Sequence, residues 1–416
     1  MNRFYTLLLL SCAALSANAQ QINGSFDGEW SDCIPWDSKG NTKSSGTQPE
    51  GWTISNVYVG SKVVVGEAEA HNDGKAVKLT NNDAAGQKVP AYLTLGTSWA
   101  TAETFTVAVR NADGGTWGGK EFTYHPDALS FDYKRDNSHG KEDASVIAYL
   151  WNGTWTQKDV PANTAVSFIG YGTATKVDMI DRDRNVLGMP KTNAVLGGDV
   201  TSTEGATCVA KINYAITGNT KKPLADGEED KNEYEWVSDT IDFDYGDNVD
   251  AKVEKINVIF SATNYFGDRK HIVKNNSLSI DNVKLIYWHA LSELTFDGKS
   301  VEGFDAEKTE YTVKGNLADD NSKIAYKVKG KGAKASTSLD LENNVLKITV
   351  EGNDISVNAD SKTVYTIHFD NTTVGIGSIS ANEAKNHKVY TLGGVRVNGK
   401  PAAGMYIVDG KKTIVK

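Results

Sequence analysis

The sequence predicts an all-β protein: a large jelly-roll sandwich followed by two small β-sandwich modules. Three observations carry that prediction. From Ile22 onward, short runs of β-branched and aromatic residues are separated by glycine, asparagine and aspartate, and no amphipathic helix longer than about two turns can be drawn. Many of these runs alternate apolar and polar residues, as strands with one buried face do. All nine tryptophans lie between Trp30 and Trp288, so the chain changes character after that point.

At 416 residues the chain exceeds one ordinary core, and two or three domains are expected. Residues 1–19 read as a cleaved signal peptide: Asn2 and Arg3 form a short basic region, Phe4 to Leu15 an apolar one, and Ala17-Asn18-Ala19 a small-residue cleavage site before Gln20. Cys12 after Leu-Leu-Ser is the competing lipoprotein reading; it would shorten the apolar segment and discard the cleavage site. The expectation is export through the signal peptide to the cell surface, the outer membrane or the medium. No later apolar run approaches the ~20 residues of a membrane-spanning helix, so no transmembrane segment is expected.

The mature chain keeps Cys33 and Cys208, which spacing alone leaves open as a disulfide or as two separate thiols. Neither a zinc nor an iron–sulfur site can be built from them. The net charge of −9 is uneven, with 37 acids against 26 bases in residues 20–290 and 2 acids against 7 bases in residues 371–416. Such an acidic first domain argues against nucleic acid as a partner.

Taken in order, residues 20–289 offer strands at Val63–Val65, Ala76–Leu79, Thr104–Val109, Leu129–Lys134, Val166–Tyr171, Val209–Tyr214 and Lys255–Phe260. Loops are expected at Lys39–Gly51, Gly114–Gly119 and the acidic Lys221–Glu235. Asn152-Gly153, between Val146–Trp151 and Thr154–Thr156, reads as a two-residue hairpin. Both faces of that hairpin are apolar. It is either covered on both sides or presents one face as an aromatic platform. The last strand is Leu278–Trp288, where alternation places Asp281, Val283, Leu285 and Tyr287 on the core face. A carboxylate there needs hydrogen bonds, a cation or a metal.

The segments Asn23-Gly24-Ser25-Phe26-Asp27, Pro49-Glu50-Gly51-Trp52, Phe122 to Lys134 and Ile280-Asp281-Asn282-Val283 together resemble the carbohydrate metabolism domain family of secreted Bacteroidetes proteins, over residues 22–288. The resemblance implies a galactose-binding-like jelly roll in surface proteins tied to glycan use, and brings no catalytic residue.

In residues 290–371, Leu291–Phe296, Phe304-Asp305, Thr309–Val313, Leu346–Val350 and Tyr365–Phe369 alternate strictly; the segment resembles the cadherin-like or immunoglobulin-like spacer of bacterial surface proteins. Residues 372–416, with Val389–Val397 and Gly404–Lys416, are similar to C-terminal sorting domains of the type nine secretion system, which implies outer-membrane export machinery as a partner. A plain structural module is the other reading.

Glycoside hydrolysis needs two neighbouring carboxylates. Asp178, Asp181 and Asp183 surround a polar turn, and Asp226 to Asp230 sit in a solvated loop. No serine lies in a Gly-x-Ser-x-Gly elbow and no histidines have metal spacing. Sugar binding needs only an aromatic surface with polar groups around it. Trp30, Trp36, Trp117, Trp151 and Tyr265 are the ligand-binding candidates, Trp117 foremost because four glycines flank it. From the resemblance to jelly-roll carbohydrate-binding modules, a structural calcium would involve Asp281, with Asp27 or carbonyls near Gly24. The resulting expectation is a non-catalytic protein that captures polysaccharide or other glycans. A glycoside hydrolase and a structural adhesin component are the alternatives.

Overall fold

The computed structural model describes residues 22–33, 44–158, 165–168, 172–175, 202–370 and 377–416, apart from positions 60, 64, 73, 85–86, 106–107, 224–228, 268, 380 and 385–386 within them. The chain divides into two units, Met1–Trp288 with Asn353–Asp360, and His289–Gly352 with Ser361–Lys416.

The first unit is built on β1 (Thr53–Ile54), β2 (Gly66–His71), β3 (Gly74–Thr80), β4 (Tyr92–Thr94), β5 (Ala128–Asp136), β6 (Ala144–Lys158), β7 (Ser202–Ile216), β8 (Val237–Asp242), β9 (Lys255–Ser261) and β10 (Ser277–Ile286). One sheet has the order β7-β6-β9-β4-β1, with Lys120–Glu121 also paired to β9. The other has the order β8-β5-β10-β3-β2. From β3 to β10 the chain alternates between the sheets except for the β6–β7 step, and every pairing within both sheets is antiparallel. This is the connectivity of two Greek keys wound into a jelly roll. The sequence expectation of an all-β jelly roll therefore holds.

The two inner faces form one core. Val77, Leu79, Leu129, Phe131, Leu278 and Ile280 come from one sheet, and Val146, Ala148, Leu150, Ile256, Val258 and Phe260 from the other. Phe131 meets Phe260 edge-on at 5.4 Å across the gap. Arg135 on β5 is fully buried, and its guanidinium donates to the carbonyls of Ala262 (2.9 Å), Ser277 (3.0 Å) and Glu142 (3.1 Å). Burial pushes this guanidinium down to about 10.

Three local expectations are corrected. Asn152-Gly153 is no hairpin: β6 runs through it and pairs with β7 on both sides, with a register shift next to Gly153. Gly153 does take the positive φ of 77° that the dipeptide signals, but within a bulge. Gly114 and Gly115 are not in a loop; Ala108–Trp117 is a strand paired with Thr97–Phe105, and Trp117 opposes Thr97. In β10, Asn282 adopts φ 50° at a bulge, so Ser130 opposes Lys284 while Asp132 opposes Asp281. The extra residue resets the alternation. Leu278 and Ile280 before it, and Val283 and Leu285 after it, all join the core, and Asp281 turns to the outer face. The two cysteines are free, both pushed up to about 11 by burial.

In the second unit, β11 (Leu291–Phe296), β12 (Lys299–Ser300), β13 (Glu310–Lys314), β14 (Ile324–Val328), β15 (Lys334–Asp340), β16 (Val345–Glu351) and β17 (Lys362–Asp370) form sheets of order β12-β11-β14 and β13-β17-β16-β15. They enclose a core of Leu291, Leu294, Tyr311, Ile348, Tyr365 and Ile367. A further sheet, β18 (Gly377–Ile379), β19 (Val389–Thr391), β20 (Arg396–Val397), β21 (Gly404–Val408) and β22 (Lys411–Val415), has the order β18-β22-β21-β19-β20 and its own small core of Ala384, Val389, Val408 and Val415.

Candidate functional site

The outer face of the β8-β5-β10-β3-β2 sheet carries an unusual density of polar side chains around one indole. The ladder itself sets the geometry. Glu69 on β2 opposes Ala76 on β3, Val77 opposes Ile280 on β10, and Asp281 opposes Asp132 on β5, which opposes Ser238 on β8. Glu69, Ala76, Asp281, Asp132 and Ser238 therefore form one row across all five strands.

Strand β3, between β10 and β2, lets side chains pass over it because its outer positions Gly74 and Ala76 are small. At Gly74 a Cβ would lie 2.1 Å from Asp27 Oδ1, so only glycine fits. Across β3, His71 at the end of β2 reaches Asp281, with Nδ1 to Oδ2 at 2.5 Å. The Asn282 amide donates to the other carboxylate oxygen at 2.7 Å. Burial pushes the Asp281 carboxyl above its ordinary value, opposed by the hydrogen bond from His71.

Side chains from both edges converge over this pair. Trp236, just before β8, stacks on the His71 ring at 4.0 Å and 27°. Lys134 Nζ lies over the same indole, 5.1 Å from its centre, and 2.9 Å from Glu69 Oε1. Lys134 and Glu69 stand on strands with β10 and β3 between them, so their ion pair spans three strand spacings, roughly 14 Å in a flat sheet. Glu69 Oε2 is buried and has no hydrogen-bond partner among the described residues. Asp132 accepts from Asn282 Nδ2 (2.7 Å) and Ser238 Oγ (2.5 Å). The result is a polar face around a half-buried tryptophan, in which Lys134 is paired with Glu69 and His71 with Asp281.

The ligand candidates named from sequence do not gather here. Trp151 and Tyr265 belong to a buried cluster on the outer face of the other sheet, with Tyr92, Ile147, Tyr149 and Ile259. Trp151 is 3% exposed, and a Cβ at Gly119 would sit 2.6 Å from its ring. The Tyr265 hydroxyl accepts the Thr116 amide at 2.7 Å. The open choice for the Val146–Trp151 strand is thus decided: both of its faces are covered. Trp30 is half-buried, packs against the core and donates from Nε1 to the Phe26 carbonyl at 2.9 Å. Trp36 lies outside the described residues, as do Asp178, Asp181 and Asp183, and the side chain of Trp117 is likewise not described.

Asp27 and Asp281 do come close, at opposite sides of the Gly74 gap. Asp27 Oδ1 accepts the Lys75 amide at 2.7 Å, and the Gly24 carbonyl accepts the Val283 amide at 2.9 Å. A calcium cage takes six to eight oxygens. The Asp27, Asp281 and Gly24 oxygens each accept a hydrogen bond within the chain, and no group of three or more histidine, cysteine, aspartate or glutamate side chains able to hold a metal occurs among the described residues. These segments form a structural clasp. A Cβ at Gly24 would meet the Val283 carbonyl oxygen at 1.9 Å, Trp52 Nε1 donates to the Asn23 carbonyl at 2.6 Å, and Phe26 meets Trp52 edge-on at 5.8 Å. The motifs at residues 23–27, 49–52 and 280–283 thus meet at one place and tie the first segment to the last strand.

His71, Trp236, Lys134 and Glu69 were not singled out from sequence. Each is an ordinary residue locally, and only the sheet brings them together.

No family model matches the chain, and no curated protein matches it. Among solved structures, a "putative glycoside hydrolase" from Bacteroides thetaiotaomicron is similar with a TM-score of 0.31 and 12% identity, covering 63% of this chain and 72% of its own. A "putative sugar binding protein" from the same organism has a TM-score of 0.24 and 14% identity, covering 65% of this chain and 99% of its own.

Proposed function

We propose that this chain is an exported, non-catalytic carbohydrate-binding protein that captures polysaccharide through the polar outer face of the β8-β5-β10-β3-β2 sheet of its jelly roll. The observation that supports this reading most is Trp236, a half-buried indole ringed by Lys134, Glu69, His71 and Asp281. A pyranose offers an apolar face to an aromatic ring and hydroxyls to surrounding polar groups. Because Lys134 is paired with Glu69 and His71 with Asp281, the face suits a neutral glycan. The resemblance of residues 22–288 to the carbohydrate metabolism domain family agrees with this reading.

A second reading, a glycoside hydrolase, rests on Glu69 and Asp281 flanking Ala76 in one row, with backbones about 10 Å apart. An inverting pair needs a comparable carboxyl separation. His71 and Lys134 already engage these carboxylates, which favours binding over chemistry.

The test incubates the chain with plant, host and microbial polysaccharides, scoring retention of protein and release of reducing ends, with and without a calcium chelator. Retention without new reducing ends, unaffected by chelation and lost in Trp236→Ala, is expected. New reducing ends that disappear in Glu69→Gln would establish the hydrolase. Neither retention nor new reducing ends across the panel would sink both readings and leave a structural surface component.

A further inference from the structure

We infer that the β19–β20 hairpin tip is a docking point for an anionic membrane surface. Among the described residues, six large hydrophobic side chains are strongly exposed, and all lie in the second unit. Three of them, Leu392 (58%), Val395 (67%) and Met405 (38%), sit at one end of the small sheet of β18 to β22. The register places them together: Thr391 opposes Tyr406, so Leu392 continues past β19 at the level where Met405 precedes Tyr406.

The tip is held in shape by its own backbone. The Thr391 amide donates to the Val395 carbonyl at 2.8 Å, the Gly394 amide to the Thr391 carbonyl at 2.9 Å, and the Val395 amide to Thr391 Oγ1 at 3.1 Å. Gly394 has φ 80°, and nothing lies within 4 Å of where its Cβ would be. The hairpin therefore presents Leu392 and Val395 on a thin, prepaid turn that faces open solvent.

Charge identifies the occupant. Residues 371–416 hold seven lysines and arginines against Glu383 and Asp409; Lys388 and Lys411 lie with Asp409 at the far end of the sheet, and Arg396 and Lys416 are the cations placed at the tip end. Arg396 follows the tip directly, and Lys416 follows Val415, which opposes Gly404 at the same end of the sheet; both are exposed. Asp409 is at the opposite end, engaged by His387 Nδ1 at 2.7 Å and the Lys388 amide at 2.9 Å. Three apolar side chains are too few for a stable protein interface, which takes roughly 800 Å² from each partner. They suffice to enter the headgroup boundary of a bilayer when cations beside them meet anionic lipid. An exposed apolar patch rimmed by such charges is the usual mark of a contact surface.

The experiment sediments the full chain with vesicles of phosphatidylcholine containing phosphatidylglycerol, and with phosphatidylcholine alone, at low and high salt. Retention on the anionic vesicles only, weakened by salt and about tenfold lower in both Leu392→Ser/Val395→Ser and Arg396→Glu, is expected. The substituted positions are exposed, so thermal unfolding of the variants should match the parent chain. Equal retention of the variants, equal retention on neutral vesicles, or self-association through the tip without any vesicle retention would overturn the inference.

Discussion

The two sheets of the jelly roll share one core and treat their outer faces in opposite ways. The outer face of the β7-β6-β9-β4-β1 sheet carries Tyr92, Ile147, Tyr149, Trp151, Ile259 and Tyr265, and all are buried. Its polar groups turn inward on one another: Thr94 Oγ1 donates to Asn257 Oδ1 at 2.8 Å, and Asn257 Nδ2 to the Tyr149 hydroxyl at 3.0 Å. The outer face of the β8-β5-β10-β3-β2 sheet carries Glu69, His71, Lys134, Asp281 and Trp236 instead. Aromatic content alone would nominate the first face for ligand contact. Burial reverses the choice, because the rings of the first face are almost wholly covered, whereas Trp236 keeps part of its surface exposed.

Substitutions should separate the two faces. The largest effect is expected for Trp151→Ala, which removes a ring packed between Tyr149 and Gly119 and should cost about 3–5 kcal/mol in denaturant unfolding of the first unit. If glycan retention fell while stability held, the first face would be a ligand surface after all. His71→Ala comes next: it leaves the buried Asp281 oxygen without its ring partner and should cost about 1–3 kcal/mol. Trp236→Ala should change stability by less than about 1.5 kcal/mol, since the ring is only half-buried, yet lower glycan retention roughly tenfold or more. Loss of both in proportion would make the cluster a structural strap.

The smallest effect concerns pH. Burial holds the Asp281 carboxyl above its unfolded value, so the folded state takes up its proton more readily than the unfolded one. This contribution is present at acid pH and is lost as pH rises through the folded-state value. Relative to Asp281→Asn, the parent chain should therefore gain stability on acidification through the carboxylate range. A difference between the two that stays constant over that range would show that Asp281 is not desolvated.

Three glycine dipeptides show how far local reading carries. Asp297-Gly298 between β11 and β12, and Asp409-Gly410 between β21 and β22, have positive φ at both residues and make two-residue hairpins. Asn152-Gly153 has the same chemistry, and its glycine has the same hand, but β9 and β7 flank β6 on both sides and the chain runs straight on. A dipeptide can state which φ it tolerates. It cannot state whether neighbouring strands are long enough to pull the chain past the turn.

The sequence by itself determined that the chain is all-β, where β3, β5, β9, β10, β11, β16 and β17 run, and that the composition changes after Trp288. These follow from alternation and turn residues, which act over a few positions. Only the tertiary structure decided which face each side chain joins and which distant residues meet. One bulge at Asn282 sends Asp281 from the expected core to the outer face, because an added residue inverts a period of two. Likewise His71, Trp236 and Lys134 meet only because strand order places β2, β8 and β5 in one sheet, and small residues on β3 leave room between them. Register and strand order are set by the packing of the whole core, so no window of the sequence contains them.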